Sequence, residues 1–148
     1  MSHKIILDTD PGIDDAMAIL FAEAHPAIDL IAITTVFGNA TIDNGTRNAL
    51  WLKQKYGMKA DVAQGAAAPL LRYPVGPTTV VHGPSGFGDV EAGEVNLTPD
   101  ARPAWQYIVD AVKAAPGEIT LVTIGPLTNL ALALQEACLL YTSPSPRD

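Results

Sequence analysis

Apolar residues fall along the chain in two kinds of run. Lys4-Ile5-Ile6-Leu7 is short, continuous and non-alternating, the pattern of a strand covered on both faces. From Asp14 to about Ala24 the spacing changes: Ala16, Met17, Ile19, Leu20, Phe21 and Ala24 recur at helical intervals, with acids in the first turn and Pro26 just past the end. Residues 28–36, "IDLIAITTV", predict a second buried strand that Gly38 and Asn39 break. Thr41 is placed to cap a helix running to about Tyr56, with Gly57 as its stop. A third short strand is predicted over residues 61–64. Trp105, Ile108, Val109 and Val112 mark a helix between about Pro99 and Ala114, and "EITLVT" (118–123) a fourth strand that leads into "IGPLTNLALAL".

Strand and helix alternate at the spacing of βαβ units, which predicts an α/β, Rossmann-like fold with a mainly parallel sheet flanked by helices. In such sheets ligands bind outside the carboxyl ends of the strands. The segments Asp8–Asp15, Gly38-Asn39 and Thr123–Asn129 all fall at those ends and are expected to converge. Residues 65–97 are rich in Gly and Pro and carry little periodicity, the mark of a functional or disordered loop. From Cys138 the chain reads "CLLYTSPSPRD", Ser- and Pro-rich with no strand to receive a crossover; residues 1–137 are expected to form the domain and 138–148 a non-native tail.

Composition narrows the partners. Sixteen acids against nine bases give a net charge of -7 over 148 residues without a Lys/Arg cluster, which excludes a nucleic-acid backbone as the expected partner. A small molecule or a cation fits better. One cysteine rules out an internal disulfide, no apolar run reaches the roughly 18 residues needed to span a bilayer, and the N-terminus lacks a signal-peptide core. No membrane association and a cytoplasmic setting are the resulting expectations.

The chemistry concentrates in "DTDPGIDDA" (8–16), four aspartates at the end of a buried strand. Carboxylates brought together repel one another and raise each other's pKa unless something positive joins them. After Lys4 the segment holds no base, so a hard divalent cation with oxygen ligands is the simplest neutraliser. An EF-hand loop counted from Asp8 would need Gly and Glu where Ile13 and Ile19 stand, and fails. A haloacid-dehalogenase phosphatase, with Asp8 as nucleophile in D-x-D, accounts for Asp8-Thr9-Asp10 but not for Asp14-Asp15, and stays as an alternative. A non-catalytic fragment that binds metal or ribose is a second alternative.

"DTDPGIDDAMAI", "VFGNAT" and "TIGPLTNLALAL" together resemble, in order and approximate spacing, three blocks of the inosine-uridine nucleoside hydrolase family, over about residues 3–136. The resemblance implies calcium-dependent hydrolysis of the N-glycosidic bond of ribonucleosides to ribose and free base. It implies that Asp10 is a calcium ligand and the general base, Asp15 a second carboxylate ligand, and the backbone carbonyl of Thr123 a third. Asp14 and Asn39 would contact the ribose, His82 of "VVHGPSG" would line the pocket, and Asp8 would support the loop from within. Members are roughly twice this length and commonly dimers or tetramers. The resemblance therefore implies a homo-oligomer when full length, with a further calcium ligand and the general acid outside these residues and this chain inactive alone. On physical grounds Pro11 and Gly12 are expected to bend the turn so that Asp10 and Asp15 face one ion, and "GPLTN" is either part of the site or only a helix start with local hydrogen bonds.

Overall fold

The computed structural model of the chain describes residues 2–71 and 76–137. Strands β1 (His3–Thr9), β2 (Ile28–Thr35), β3 (Asp61–Gln64) and β4 (Ile119–Thr123) form one parallel sheet in the order β3-β2-β1-β4. Among the described residues five helices accompany them: α1 (Ile13–Ala24), α2 (Ile42–Tyr56), the short α3 (Thr79–His82), α4 (Ala104–Ala114) and α5 (Thr128–Glu136).

The continuous apolar strands are explained by which way successive residues point. Leu7 packs with Ile19 and Ala22 of α1 and with Ala49, Leu50 and Leu52 of α2. Its neighbour Ile6 faces the other way, onto Ala104 and Ile108 of α4 and Ala133 of α5. Ala32 and Ile33 of β2 divide between the same two cores. Ile6, Ile19, Ile33 and Ile108 are fully buried, each worth about 1.5–3 kcal/mol of apolar transfer.

Local signals set most element ends. The Thr41 hydroxyl accepts from the Asn44 N–H (3.3 Å), and Gly57 closes α2 at φ 65°, a left-handed cap that suits glycine. The helix expected from Pro99 begins instead at Ala104, after Pro103. Asp100 accounts for the delay: its N–H donates to the Val62 carbonyl (2.7 Å), it bridges Ala63, and its carboxylate holds Arg102 through both Nε and Nη2 (2.9 Å each). Asp100 thus bridges the outer edge of β3, where free strand edges invite association. On the other side β4 is the last strand, and among the described residues none pairs beyond it.

The 65–97 loop, of which residues 72–75 lie outside the described set, is tied to α2. Asn44 donates to the Pro84 carbonyl, Asn48 to Ser85, Gln54 to Glu94, and Phe87 is buried edge-on to Trp51. The tail from Cys138 also lies outside the described residues. Chain order runs outward from β1 through β2 to β3, then crosses back to β4 on the other side of β1. The strand order therefore reverses between β1 and β4, and the region outside their carboxyl ends is where ligands bind in sheets of this kind.

Candidate functional site

Asp10 follows β1 directly, at the reversal, and the surrounding chain closes on it. The Asn39 N–H donates to Asp10 Oδ2 (2.8 Å), and the Asn39 amide donates to Asp15 Oδ2 at the same distance. One residue thus ties the two carboxylates together. Asp15 sits in the first turn of α1, accepts from the Gly12 N–H (3.2 Å) and from the Thr9 hydroxyl, and is buried. Around Asp10 there is room only for glycine. A Cβ on Gly38 would stand 2.0 Å from Asp10 Oδ2, and one on Gly125 would stand 2.8 Å from Oδ1.

Gly12 proves to have a different reason from the expected bend. Its φ of -102° is open to any residue, but a Cβ there would meet His82 Nδ1 at 2.8 Å and Asn39 Nδ2 at 2.9 Å. Close approach, not turn geometry, demands the glycine. His82 is buried at the end of α3, where Nδ1 accepts from the Ile13 N–H (3.3 Å); Asp14 Oδ1 lies 3.8 Å away, beyond hydrogen-bonding distance. The Asp14 side chain is 79% exposed at the start of α1. Thr123 ends β4 opposite Asp8, and the Ile124 N–H donates to the Asp8 carbonyl (2.9 Å), which brings the Thr123–Gly125 turn against Asp10.

Asp8 is not held within the loop, contrary to expectation. It lies on β1, fully buried, with Oδ1 accepting from Thr34 Oγ1 of β2 (2.6 Å) and Asn129 Nδ2 of α5 (2.8 Å). A carboxylate so enclosed has no approach for a phosphoryl group, which removes the haloacid-dehalogenase alternative. Burial raises its pKa, opposed by the bonds from Asn129 and Thr34. Asn129 likewise does not form local bonds at the helix start: its amide spans to Asp8, to the Thr35 carbonyl (2.9 Å) and to the Ala66 N–H (2.9 Å).

Burial pushes the Asp10 carboxyl up to about 6, with the charges of Asp15 and Asp14 adding to it and the Asn39 bond opposing. No Lys or Arg among the described residues pairs with Asp10, Asp14 or Asp15. The folded-state value exceeds the ordinary 3.8, so the stability that goes with the neutral carboxyl is fully present below about pH 4 and lost as pH rises through 6. An oxygen-only set with uncompensated charge fits a hard divalent cation, and it fits calcium better than a thiolate- or imidazole-seeking metal. Among the described residues no three His, Cys, Asp or Glu side chains group to hold an ion, and the carboxylates that Asn39 brings together are two, Asp10 and Asp15.

The profile of the inosine-uridine preferring nucleoside hydrolases matches residues 5–140. The chain belongs to that family. It is 48% identical over 136 residues to the non-specific ribonucleoside hydrolase RihC of Escherichia coli (strain SMS-3-5 / SECEC), covering 92% of this chain and 44% of that protein. Among solved structures, the purine-preferring ribonucleoside hydrolase from Gardnerella vaginalis superposes with a TM-score of 0.86 at 34% identity, over 90% of this chain and 44% of that one. The plant nucleoside hydrolase PpNRh1 does so with a TM-score of 0.85 at 39% identity, over 93% and 44%. The chain thus spans less than half the length of these nucleoside hydrolases. Among its described residues no helix is long and apolar enough to cross a membrane.

In this nucleoside hydrolase chain the three sequence blocks meet in space, as the strand-end argument required. Sequence reasoning missed the glycines Gly38 and Gly125 as walls of the Asp10 carboxylate, and Gly65, whose Cβ would fall 2.3 Å from Asn129 Oδ1. A faint signal was available in that each follows a strand end, where the backbone must clear a neighbouring side chain.

Proposed function

We propose that the protein carrying this chain hydrolyses the N-glycosidic bond of ribonucleosides, releasing ribose and free base, with calcium held by Asp10, Asp15 and the Thr123 carbonyl. The observation that carries the reading is the Asp10–Asp15 pair, bridged by Asn39 and walled by glycines at the sheet's switch point. A bound divalent cation would lower the pKa of a water it holds and orient it.

The residues of the chain supply the rest. Asp10 takes the proton from the attacking water; burial places its carboxyl near the range where a general base is effective, and a cation would draw it lower. Asp14, exposed beside the pair, accepts hydrogen bonds from the ribose hydroxyls. The Asn39 carbonyl oxygen, which takes no bond from the described residues, contacts the same sugar. As the C–N bond breaks, positive charge develops on the ribosyl group, and fixed carboxylates beneath it stabilise that charge more than they stabilise the substrate. Buried on the Ile13 N–H, His82 closes one side of the pocket.

A site built to bond hydroxyls rejects a substrate without them, by about 10⁴-fold or more where the polar partners are left unpaired. The test compares base release from inosine and uridine with release from their 2′-deoxy counterparts, using the intact protein. Release from the ribonucleosides with the deoxy forms slower by at least about 10²-fold is expected. Equal rates would remove the ribose-clamping role of Asp14 and Asn39, and no release from any of the four would end the hydrolase reading.

A further inference from the structure

We infer that Asn129 is a positioning residue for the Asp10–Asp15 cluster, fixing from α5 the ends of β1 and β2 and the loop after β3 that lie around those carboxylates. The inference deepens the hydrolase reading and rests on it for its kinetic consequence, but its structural content stands on the bonding around one amide. Asn129 is fully buried and three of its bonds leave the helix: Nδ2 donates to Asp8 Oδ1 (2.8 Å) and to the Thr35 carbonyl (2.9 Å), and Oδ1 accepts from the Ala66 N–H (2.9 Å). These partners are two residues before Asp10, at the last position of β2, and on the loop that leaves β3.

Each bond continues toward the site. The Ala66 carbonyl accepts from the Phe37 N–H (3.0 Å), two residues before Asn39, whose own N–H holds Asp10 and whose amide holds Asp15. Thr35 is followed by Val36, whose N–H donates to the Thr9 carbonyl beside Asp10 (2.9 Å). Asn129 itself stands four residues after Gly125, whose α-carbon faces Asp10 without space for a methyl group. The β1, β2 and β4 ends and the β3 loop are therefore registered against one another through a single side chain. Gly65 records how closely they are drawn in, since a Cβ there would lie 2.3 Å from both Asn129 Oδ1 and the Thr35 carbonyl. Helix capping does not account for this amide, because α5 has no side-chain cap. Buried outer partners of this kind commonly change metal affinity or activity by 10–100-fold (an order-of-magnitude range) when removed.

The experiment compares the intact protein with Asn129→Ala, with Asn129→Asp, and with Ile108→Ala, which removes a fully buried side chain from the α4 core away from the site. Three quantities are read under conditions where each variant is folded: amide hydrogen exchange at Phe37 and Asn39, the calcium dissociation constant by titration calorimetry, and kcat and KM for inosine. Asn129→Ala is expected to speed exchange at Phe37 and Asn39 at least about tenfold, weaken calcium by about tenfold or more, and lower kcat more than it alters KM. Asn129→Asp keeps the acceptor for Ala66 but loses both donated bonds, so it shifts the same quantities in the same direction. Ile108→Ala leaves all three within about twofold while still lowering the unfolding temperature.

Parental exchange and calcium affinity in folded Asn129→Ala, or equal losses in Ile108→Ala, would overturn the inference. So would failure of both Asn129 variants to fold, which would make the residue a folding determinant alone. A parent that binds no calcium and releases no base defeats the hydrolase reading separately, and the exchange arm still decides the positioning role.

Discussion

Asp10→Asn is expected to lower base release from inosine and uridine by about 10²–10⁴-fold, the contribution typical of a positioned general base. The substitution keeps the side-chain volume and leaves an oxygen to accept from the Asn39 N–H, so the walls formed by Gly38 and Gly125 stay in place. Fold and activity should in fact move in opposite directions. The buried carboxyl of Asp10, held up near 6, opposes folding at neutral pH when no cation is present, and a neutral amide removes that penalty. In chelator at pH 7 the variant should therefore unfold at a higher temperature than the parent while being far less active. Parental activity in Asp10→Asn would remove the assigned base; lost activity with a lower unfolding temperature would point to damaged structure instead.

Gly38→Ala should drive a methyl group directly into the Asp10 carboxylate. Its Cβ would stand 2.0 Å from Oδ2, 2.8 Å from Cγ and 3.0 Å from Cβ of Asp10, so nearly the whole carboxylate would have to move. Movement is resisted because Asn39, the next residue, holds that oxygen. Overpacking of this kind costs about 1–3 kcal/mol, and displacing a catalytic group by even ~1 Å can cost ~10²-fold in rate. Gly57→Ala is the matched comparison: its φ of 65° disfavours alanine by about 1–2 kcal/mol, yet nothing lies within 4 Å of the new methyl group. Thermal unfolding should fall in both variants, whereas base release should fall only in Gly38→Ala. Unchanged kinetics in Gly38→Ala would show that the glycine wall does not hold Asp10 in its working position.

Much of the architecture is legible in the sequence because burial on two faces leaves a simple trace. Ile6 and Leu7 must both be apolar when each enters a different core, and the same holds for Ala32 and Ile33. Helix ends at Thr41 and Gly57 are legible because the local backbone requires those residue types. The early part of α4 is not, since its start is set by Asp100 pairing with β3, a contact between segments 37 residues apart in the chain (63 to 100).

At the site, the acidic cluster and its place at a strand end are visible as residue types and spacing. Who holds whom is not. The amide of Asn129 engages Asp8 across 121 positions and Thr35 across 94, and a single sequence carries no trace of such pairings. The same is true of Gly12, where the reason for glycine is a histidine 70 positions away (12 to 82). Asp8 illustrates the limit from the other side: its charge suggests a nucleophile or a loop support, and only its burial between β2 and α5 shows it to be neither.

The most direct measurement is made on the intact protein stripped with a chelator and then titrated with calcium, recording bound metal, unfolding temperature and base release together from pH 4 to pH 7.5. One calcium per chain, recovery of hydrolysis with its binding, and a calcium-induced rise in unfolding temperature that grows as pH passes through about 6 are the expected results, because below that value protons compete for Asp10. Full activity in metal-free protein, with an unfolding temperature indifferent to calcium at every pH, would contradict the assignment of the Asp10–Asp15 pair to a cation.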